Sequence, residues 1–498
     1  MTTRLGRQTP WVSGILLIAA AAFGLLLALP GQTITTAYLN DLFIFLDGAH
    51  RIASGQVPNR DFHTALGPLS FYVPALGYWI SGSMGGAMPA AMAAMTVGLA
   101  LPMIHILGSR LQPVVAIPYG LFLLLIVAVP TNLGESIASL SFAMFYNRIG
   151  WAALSLLLVM YLQPEKPHGR QYLLDALCGA LLALAMLYTK VTYGLVALAF
   201  LGFMLFDARQ RRWVLWAFGL IVLSAVLIEA VWQSSLSHLE DLALAGRVSG
   251  TRGVVDLSLA FLRNLTDYVL LAIFAGLVLW QTRSLRDLLF FGICAGPGLI
   301  IQSQNAQPWG IITLFAGAAV GTEILLRSRR LSGHGILAQG APLLLIAFLL
   351  PTSLHCFMAL GVHSIAATIR TGEPFGLPRF GELRLTTLWL PGDRTFMTDY
   401  LVSIREGAQL LSQLPVKPEN VSVLDFANPF TAGLGLPPSR GDYAWLHWGR
   451  NINDVHHLPP EHLLGSVDVL MVPKAGINGI PLRNLYGDYI REAFDPIR

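Results

Sequence analysis

Three aspartates lie in a polar stretch that follows the first long apolar run of the chain. Asp41, Asp47 and Asp61 fall between residues 40 and 68, and His63 comes two positions after Asp61. A carboxylate in a loop at a membrane face can act as a general base on an acceptor hydroxyl. Because Asp41 comes first after the apolar run, we predict that it is the catalytic base. A helix cap or a solvated charge is the alternative role for any one of these aspartates.

Asp47, Asp61 and His63 are predicted to bind substrate. Asp47 opens the segment 47–55, which has the pattern of a short amphipathic helix lying in the interface and ending at Gly55. Asp47 would cap that helix in the alternative interpretation. Asp61 stands next to Arg60 and close to His63, so pairing with either of them is the alternative to binding an acceptor.

A second group of polar residues falls in later loops that the predicted topology places at the same face. Glu135, Tyr146, Asn147, Arg148 and Lys190 form this group, and we predict that they bind substrate. Cations at the edge of a membrane are costly to bury, so they tend to have a partner or a ligand. Arg148 and Lys190 suit a phosphate of a lipid carrier, through charge-assisted hydrogen bonds. Snorkelling toward lipid headgroups is the alternative role of the two cations.

The composition indicates the setting in which these residues act. The chain has 498 residues, of which 54% are hydrophobic and 12% charged, and its mean hydropathy is +0.61. Such values are typical of a polytopic membrane protein rather than a soluble one. The net charge of +4 is small, and nothing in the sequence suggests a nucleic-acid partner. The three cysteines have no paired spacing, which predicts neither a disulfide framework nor a cysteine metal site.

Hydropathy and the positions of the cations predict about eleven transmembrane helices. The first run, 11–30, follows Arg4 and Arg7, and we interpret it as a retained anchor with a cytoplasmic N-terminus; a signal peptide is the rival. The segment 68–82 is short, and we interpret it as a tilted or partly inserted helix. Cation-rich turns at 165–170, 208–212, 282–286 and 327–330 then all face the cytoplasm. The other ten predicted spans are 84–107, 114–130, 149–162, 172–188, 193–206, 213–232, 268–280, 288–301, 311–326 and 337–360.

The composition changes after residue 363. We predict a transmembrane catalytic domain over 1–363, with its first outer loop at 31–68, and a separate extracytoplasmic α/β domain over 364–498. Within the second domain, 421–426 and 467–473 have the pattern of short buried strands. Residues 398–414 have apolar positions at helical spacing.

Several short motifs at the start of the chain resemble a known superfamily. An early Asn40-Asp41 in the first outer loop is followed by Gly-x-x-Pro-x-x-Asp-Phe at 55–62, and Gly67-Pro68-Leu69 then opens a short helix. This order resembles the GT-C superfamily of integral membrane glycosyltransferases, and most of all its protein O-mannosyltransferase and aminoarabinose transferase branch. The resemblance covers about the first two hundred residues, and Thr189-Lys190 is similar to a lysine common in those proteins. Leu42 and Leu66 depart from the Asp-Glu and His-Pro-Pro of that branch, which leaves substrate class and metal use open.

The resemblance implies a concrete reaction. Asp41 would deprotonate an acceptor hydroxyl, which attacks the sugar of a polyprenyl-phosphate-linked donor with inversion, while Arg148 or Lys190 stabilises the departing phosphate. The acceptor would be a glycan, lipid or protein at the outer face of a bacterial inner membrane, where the C-terminal domain is periplasmic. A divalent cation, Mg²⁺ or Mn²⁺, is left open, and no ligand set is assigned to it.

Two alternative functions stay open at the level of sequence. A polysaccharide ligase or polymerase would use a diphosphate-linked donor, and a lipid or sugar transporter would also be polytopic. A transporter is expected to place ionisable residues or broken helices near the middle of the membrane. A membrane scaffold with an outer receptor domain is a further, non-catalytic alternative.

Overall fold

A computed structural model describes residues 10–165, 169–250, 253–304, 307–328, 335–389 and 394–496. Arg4 and Arg7, and parts of the cation-rich turns 165–170 and 327–330, lie outside the described residues.

The described part of the chain is mostly helical, with a few short strands. The helices are α1 (Pro10–Ala28), α2 (Leu39–Ala53), α3 (Leu69–Ser81), α4 (Met84–Arg110), α5 (Pro113–Ala128), α6 (Phe145–Val159), α7 (Gln171–Thr189), α8 (Val191–Met204), α9 (Arg211–Trp232), α10 (Ser235–Ser249), α11 (Val254–Arg263), α12 (Leu265–Thr282), α13 (Leu285–Ser303), α14 (Ile312–Arg327), α15 (Gly335–Thr368), α16 (Arg394–Ser412), α17 (Pro429–Leu434), α18 (Pro460–Leu464) and α19 (Gly479–Ala493). The strands are β1 (Thr33–Thr35), β2 (Glu373–Pro374), β3 (Leu383–Leu385), β4 (Val421–Val423) and β5 (Val469–Met471).

A helix overlaps each of the eleven apolar runs. Among the described residues, seven helices are long and apolar enough to cross a membrane: α1, α4, α7, α9, α12, α13 and α15. The apolar helices α5, α6 and α8 are shorter, and α14 has 16 residues. These lengths support a multi-pass membrane protein, whereas the number eleven stays a prediction. The segment 68–82 forms α3, which is 13 residues long and contains Pro74.

The helix that carries Asp41 differs from the prediction. The prediction of an amphipathic interfacial helix over 47–55 is wrong, because α2 begins at Leu39 and is buried on nearly all sides. Its apolar side packs in the core, where the Phe43 ring lies 5.7 Å from that of Phe380. Asp47, His50 and Arg51 contact the C-terminal part of the chain, so α2 is an internal helix rather than one lying on lipid.

The C-terminal part of the chain, residues 369–496, is called the tail below. Its strand β3 lies between β1 of the first loop, in parallel, and β2, in antiparallel register. The first loop and the tail therefore share one sheet. The predicted strands are present as β4 and β5, which pair in parallel, and the predicted helix is present as α16. Helix α15 continues to Thr368, past the predicted boundary at 363, and that division into domains stays a prediction.

The polar loops gather at two opposite ends of the helical bundle. At one end, which carries the tail, the first loop bonds to later loops: Thr36 N donates to Leu140 O (2.9 Å), and Gly67 N donates to Thr189 O (3.2 Å). The other end joins turns that the sequence places together, since Gln112 N donates to Glu323 Oε2 (2.9 Å). Spans that alternate in direction produce this grouping. Gly67 is required where it lies, because a Cβ there would overlap the Tyr188 carbonyl oxygen.

Candidate active site

Asp41 lies in the first turn of α2, at the tail end of the bundle. Its side chain is partly exposed, and within the described residues no hydrogen bond or ion pair engages its carboxylate. The N-terminus of a helix favours a negative charge. Loss of water contact outweighs that effect here and raises the pKa of Asp41 to about 7. A carboxyl with this pKa can take up a proton from a substrate at neutral pH.

Tyr146, of the second predicted group, lies close enough to Asp41 for the charge of Asp41 to act on it, and Lys190 contacts Tyr146. Phe45 is one helical turn after Asp41 on the same face of α2, and its ring centroid lies 6.1 Å from that of Tyr146. The Nζ of Lys190 lies 5.5 Å from the centroid of the Tyr146 ring, in a cation–π contact. The structure thus brings together a carboxylate, a phenol and an ammonium group at the membrane end that carries the tail.

Lys190 occupies the junction between α7 and α8 and donates to Asn147 Oδ1 (3.3 Å). Burial lowers the pKa of Lys190 to about 7, and the nearby charge of Arg450 lowers it further in the same direction. A proton therefore leaves Lys190 far more readily than it leaves an ordinary lysine. The ammonium form is stabilised when an anion binds beside it.

Arg148 lies deeper in α6 than Tyr146 and is 1% exposed. One of its nitrogens, Nη1, donates to the carbonyl oxygens of Thr131 (3.0 Å) and Ala143 (3.3 Å). These bonds hold the loop between α5 and α6. Its other nitrogens, Nε and Nη2, have no hydrogen-bond partner. Arg148 therefore has a structural role and still has free donors.

Glu135 accepts a hydrogen bond from the Tyr38 hydroxyl (2.8 Å). Tyr38 directly precedes α2 and has a left-handed backbone conformation (φ 54°). The bond ties the loop between α5 and α6 to the start of the helix that carries Asp41. Glu135 thus lies beside the first turn of α2, where Asp41 lies, and helps to fix the start of that helix.

Asp47 does not face the same site as Asp41. It is 1% exposed, its Oδ2 lies 2.6 Å from Arg51 Nε, and its Oδ1 accepts from the Thr431 hydroxyl (2.6 Å). Arg51 also binds both oxygens of Asp442 in the tail, at 2.7 and 3.0 Å. Both oxygens of Asp47 are thus engaged by the protein, in a buried network that fastens α2 to the tail.

Asp61 closes the turn that follows α2. Its Oδ2 accepts from Val57 N (2.7 Å), and its Oδ1 lies 3.3 Å from Arg440 Nη1 of the tail. The structure therefore places Asp61 at the contact between the first loop and the tail, away from Asp41.

His63 is fastened to α10. Its Nδ1 lies 2.8 Å from Asp241 Oδ1, and Thr64 N donates to the other oxygen of Asp241 (2.9 Å). Desolvation lowers the pKa of His63, but the hydrogen bond and the charge of Asp241 outweigh it and raise the pKa above the ordinary value. Asp241 lies some 180 residues after His63 in the chain, and no sequence pattern indicates that the two are in contact.

Arg450 is a residue of the site that sequence reasoning missed. It lies close enough to Lys190 and Tyr146 to act on both electrostatically. Its loop is held by a turn at Gly449, which has a positive φ of 76°, and by the Ser249 hydroxyl, which donates to Arg450 O (2.8 Å). The tail therefore supplies a cation to a site otherwise built from the bundle. The described residues contain no group of three or more His, Cys, Asp or Glu side chains that could hold a metal ion, and the metal question stays open.

Comparisons with known proteins give a distant structural likeness. No protein-family model matches the chain, and no curated protein matches it in sequence. Among solved structures, the chain is similar to the crystal structure of the Archaeoglobus fulgidus oligosaccharyltransferase in complex with zinc and sulfate, with 11% sequence identity and a TM-score of 0.37. The match covers 85% of this chain and 62% of that chain, so this chain spans less than two thirds of the oligosaccharyltransferase. A TM-score this low supports no inference about activity, and membership of the GT-C superfamily stays a prediction.

Proposed function

We propose that the protein is a membrane glycosyltransferase that moves a sugar from a polyprenyl-phosphate-linked donor to an acceptor hydroxyl. The observation that carries the proposal is the unpaired carboxylate of Asp41, which acts electrostatically on Tyr146, while Tyr146 itself contacts Lys190, at one end of a helical bundle. Glycosyl transfer with an anionic leaving group requires a base that deprotonates the acceptor and a cation that stabilises the leaving group. The position at the membrane end allows a lipid-linked donor to enter from the bilayer.

In the proposed reaction, Asp41 accepts the proton of the acceptor hydroxyl as its oxygen attacks the anomeric carbon. A new glycosidic bond forms, and the bond from the anomeric carbon to the phosphate oxygen breaks with inversion. The polyprenyl phosphate leaves with the electron pair. Lys190 and Arg450 stabilise the charge that develops on it, because cations fixed in place need no reorganisation in the transition state.

The remaining predicted residues act on the position of the site. Asp47, Asp61 and His63 fasten the first loop to the tail and to α10, and Glu135 fixes the start of α2. Arg148 holds the loop between α5 and α6 and adds positive charge behind Asn147. The tail would present the acceptor, as a periplasmic part of a protein in a bacterial inner membrane with a cytoplasmic N-terminus.

A transfer assay tests the donor class. Purified protein in nanodiscs is offered radiolabelled sugars on polyprenyl phosphate or on polyprenyl diphosphate, together with a membrane extract as the source of acceptor, with and without EDTA. The proposal predicts label in an acceptor and release of polyprenyl phosphate from one phosphate-linked donor. If no such donor supports transfer, and thermal unfolding shows that the protein in the assay is folded, the proposal is contradicted. Loss of transfer in EDTA would assign a divalent ion.

One observation favours a second candidate, a polysaccharide ligase or polymerase with a diphosphate-linked donor. Arg148, Lys190 and Arg450 bring three cations toward one site, which is more charge than a single phosphodiester carries. The same assay separates the candidates, because the ligase would release polyprenyl diphosphate. The polar groups gather at the bundle end and not at its middle, which gives a transporter less support.

A further inference from the structure

A groove of about 310 Å³ lies next to the candidate active site. The loop 131–135 and Trp309 form one wall, and Pro351, Thr352 and Cys356 of α15 form the other. Pro351, which lines the groove, is exposed, and Met358, two turns later on the same side of α15, is 52% exposed. Large apolar residues exposed on a membrane-crossing helix face lipid. The groove therefore opens sideways, toward the bilayer.

A small buried chamber adjoins the inner end of the groove and shares Asn132 and Leu133 with it. Asn147, Arg148 and Gln307 complete its polar lining, and Asn132, Asn147 and Arg148 are 4%, 2% and 1% exposed. The amide of Gln307 is already engaged, since its Nε2 donates to Trp309 O and Gly310 O and its Oε1 accepts from Trp151 Nε1. The chamber has about 10 Å³ of free volume, which is room for about one water molecule.

The chamber concentrates hydrogen-bond donors that have no partner. They are Asn132 Nδ2, Asn147 Nδ2, and both Nε and Nη2 of Arg148; the one unpaired acceptor is Asn132 Oδ1. A buried polar group left unpaired destabilises the fold. One water accepts only about two hydrogen bonds, so it cannot satisfy four donor atoms. The lining therefore fits an atom with more lone pairs than water, such as a phosphate oxygen.

Charge also favours an anion in the chamber. Arg148 supplies a positive charge, and no carboxylate of the described residues lines the chamber. Glu135 is the carboxylate that lines the groove, where it accepts a bond from the Tyr38 hydroxyl. His355, also on the groove, has an unpaired Nε2. The site thus joins an apolar groove that opens to lipid with a set of donors for an anion.

We propose that the groove and the chamber bind a prenyl phosphate. The apolar chain lies in the groove against α15, and one phosphate oxygen enters the chamber and accepts from Arg148, Asn132 and Asn147. Asn147 Oδ1 also accepts from Lys190 Nζ (3.3 Å), so a phosphate held there shares a neighbour with the cation of the candidate active site. This assignment rests on the proposed function, since it names where the lipid carrier of the donor enters and leaves.

Photolabelling tests the assignment without requiring transfer. A diazirine-bearing prenyl phosphate without a sugar is bound to the full-length protein in phosphatidylcholine nanodiscs, and the labelled peptides are mapped by mass spectrometry. We expect label on 131–135 or 351–356, removed by unlabelled prenyl phosphate. Label on other helices overturns the assignment. Equal competition by inorganic phosphate or by phosphatidylglycerol also overturns it, because the site would then select a free phosphate or a common headgroup.

Substitutions of Asn132, with one control, sharpen the test. Asn132→Asp puts a negative charge against the ligand and is expected to weaken prenyl phosphate binding by about tenfold or more, since hydrogen bonds to charged groups are worth about 1.5–3 kcal/mol. Ser353→Ala, on α15 but outside the lining of the groove, is the control and should bind as the wild type does, because the Ser353 hydroxyl donates to Leu349 O of its own helix. Unchanged binding by a folded Asn132→Asp protein contradicts the assignment. Should Asn132→Asp fail to fold, Asn132→Ser removes the same amide donor with a smaller side chain and carries the same expectation.

The two proposals fail in different ways. Groove labelling by prenyl phosphate in a protein that transfers no sugar leaves this assignment standing and removes the proposed function. Sugar transfer in a protein whose label maps elsewhere removes this assignment alone.

Discussion

Asp41 and Lys190 are both displaced from their ordinary pKa values, in opposite directions. Burial raises the pKa of Asp41 to about 7 and lowers that of Lys190 to about 7. The proposed reaction needs Asp41 without its proton and Lys190 with its proton. These protonation states decide whether activity rises or falls with pH on each side of the maximum.

We therefore predict a bell-shaped dependence of kcat/KM on pH with a maximum near 7. Activity rises with pH as Asp41 loses its proton, and falls at higher pH as Lys190 loses its own. The measurement is initial transfer rate in nanodiscs between pH 5 and 9. A profile that is flat between pH 6 and 8 would contradict the assignment of both residues.

Lys190→Arg separates the two limbs. Arginine keeps its charge over the whole range because its pKa is above about 12, so the falling limb should disappear while the rising limb stays. The Asp41 limb in the same variant serves as the internal control. A falling limb that persists in Lys190→Arg would show that another group titrates there.

Helix α2 is held by a buried ion-pair network that joins it to the tail. Arg51 is completely buried and binds Asp47 and Asp442. Breaking a buried pair leaves an uncompensated charge and costs about 3–5 kcal/mol. Arg51→Ala should lower the free energy of unfolding by that amount, which thermal unfolding in detergent would show as a clear drop in Tm.

Arg440→Ala is the matched control for that prediction. Arg440 also pairs a tail residue with the first loop, through Asp61, but its side chain is 70% exposed. Exposed pairs contribute about 0–1 kcal/mol. Equal unfolding temperatures for the Arg51 and Arg440 variants would show that the buried network does not hold α2 in place.

A second contact fixes the end of the first loop. Asp241 of α10 accepts from Thr64 N and from Asn59 Nδ2, and it pairs with His63. Asp241→Ala should speed amide hydrogen exchange over 59–64, because the Thr64 amide loses its acceptor and the side chains of Asn59 and His63 lose the anchor that holds this segment. The neighbouring Glu240, which is exposed, provides the control variant Glu240→Ala. Exchange that stays as slow in Asp241→Ala as in the control would exclude this anchor.

Local sequence patterns predicted the helices and strands of this fold better than they predicted the contacts between them. Apolar runs long enough to span a bilayer located helices such as α4 and α9, and β-branched runs located β4 and β5. Asp41 was predicted from its place after the first apolar run. The contact between Arg51 and Asp442 spans nearly 400 residues and leaves no periodic signal, so the burial of α2 was missed. Arg450 and Asn132 were missed for the same reason.

Across the whole molecule, the proposed reaction requires the tail and the first loop to lie on the extracytoplasmic side. Ser466 in the tail and Ala208 between α8 and α9 are exposed at opposite ends of the bundle. In a protein whose Cys178, Cys294 and Cys356 are replaced by alanine, Ser466→Cys should react with an impermeant maleimide on intact cells. Ala208→Cys should react only after the membrane is opened. The reverse labelling pattern would show that the tail lies on the cytoplasmic side and would contradict the proposed topology.

The most direct test of the central claim is the rate of sugar transfer by Asp41→Asn. Removal of a general base typically costs about 10²–10⁴-fold in rate, so this variant should lose transfer while its unfolding temperature stays that of the wild type. Glu240→Gln, which removes an exposed carboxylate on the same end of the bundle, should transfer at the wild-type rate. Transfer by a folded Asp41→Asn protein within a few-fold of that control would show that Asp41 is not the base.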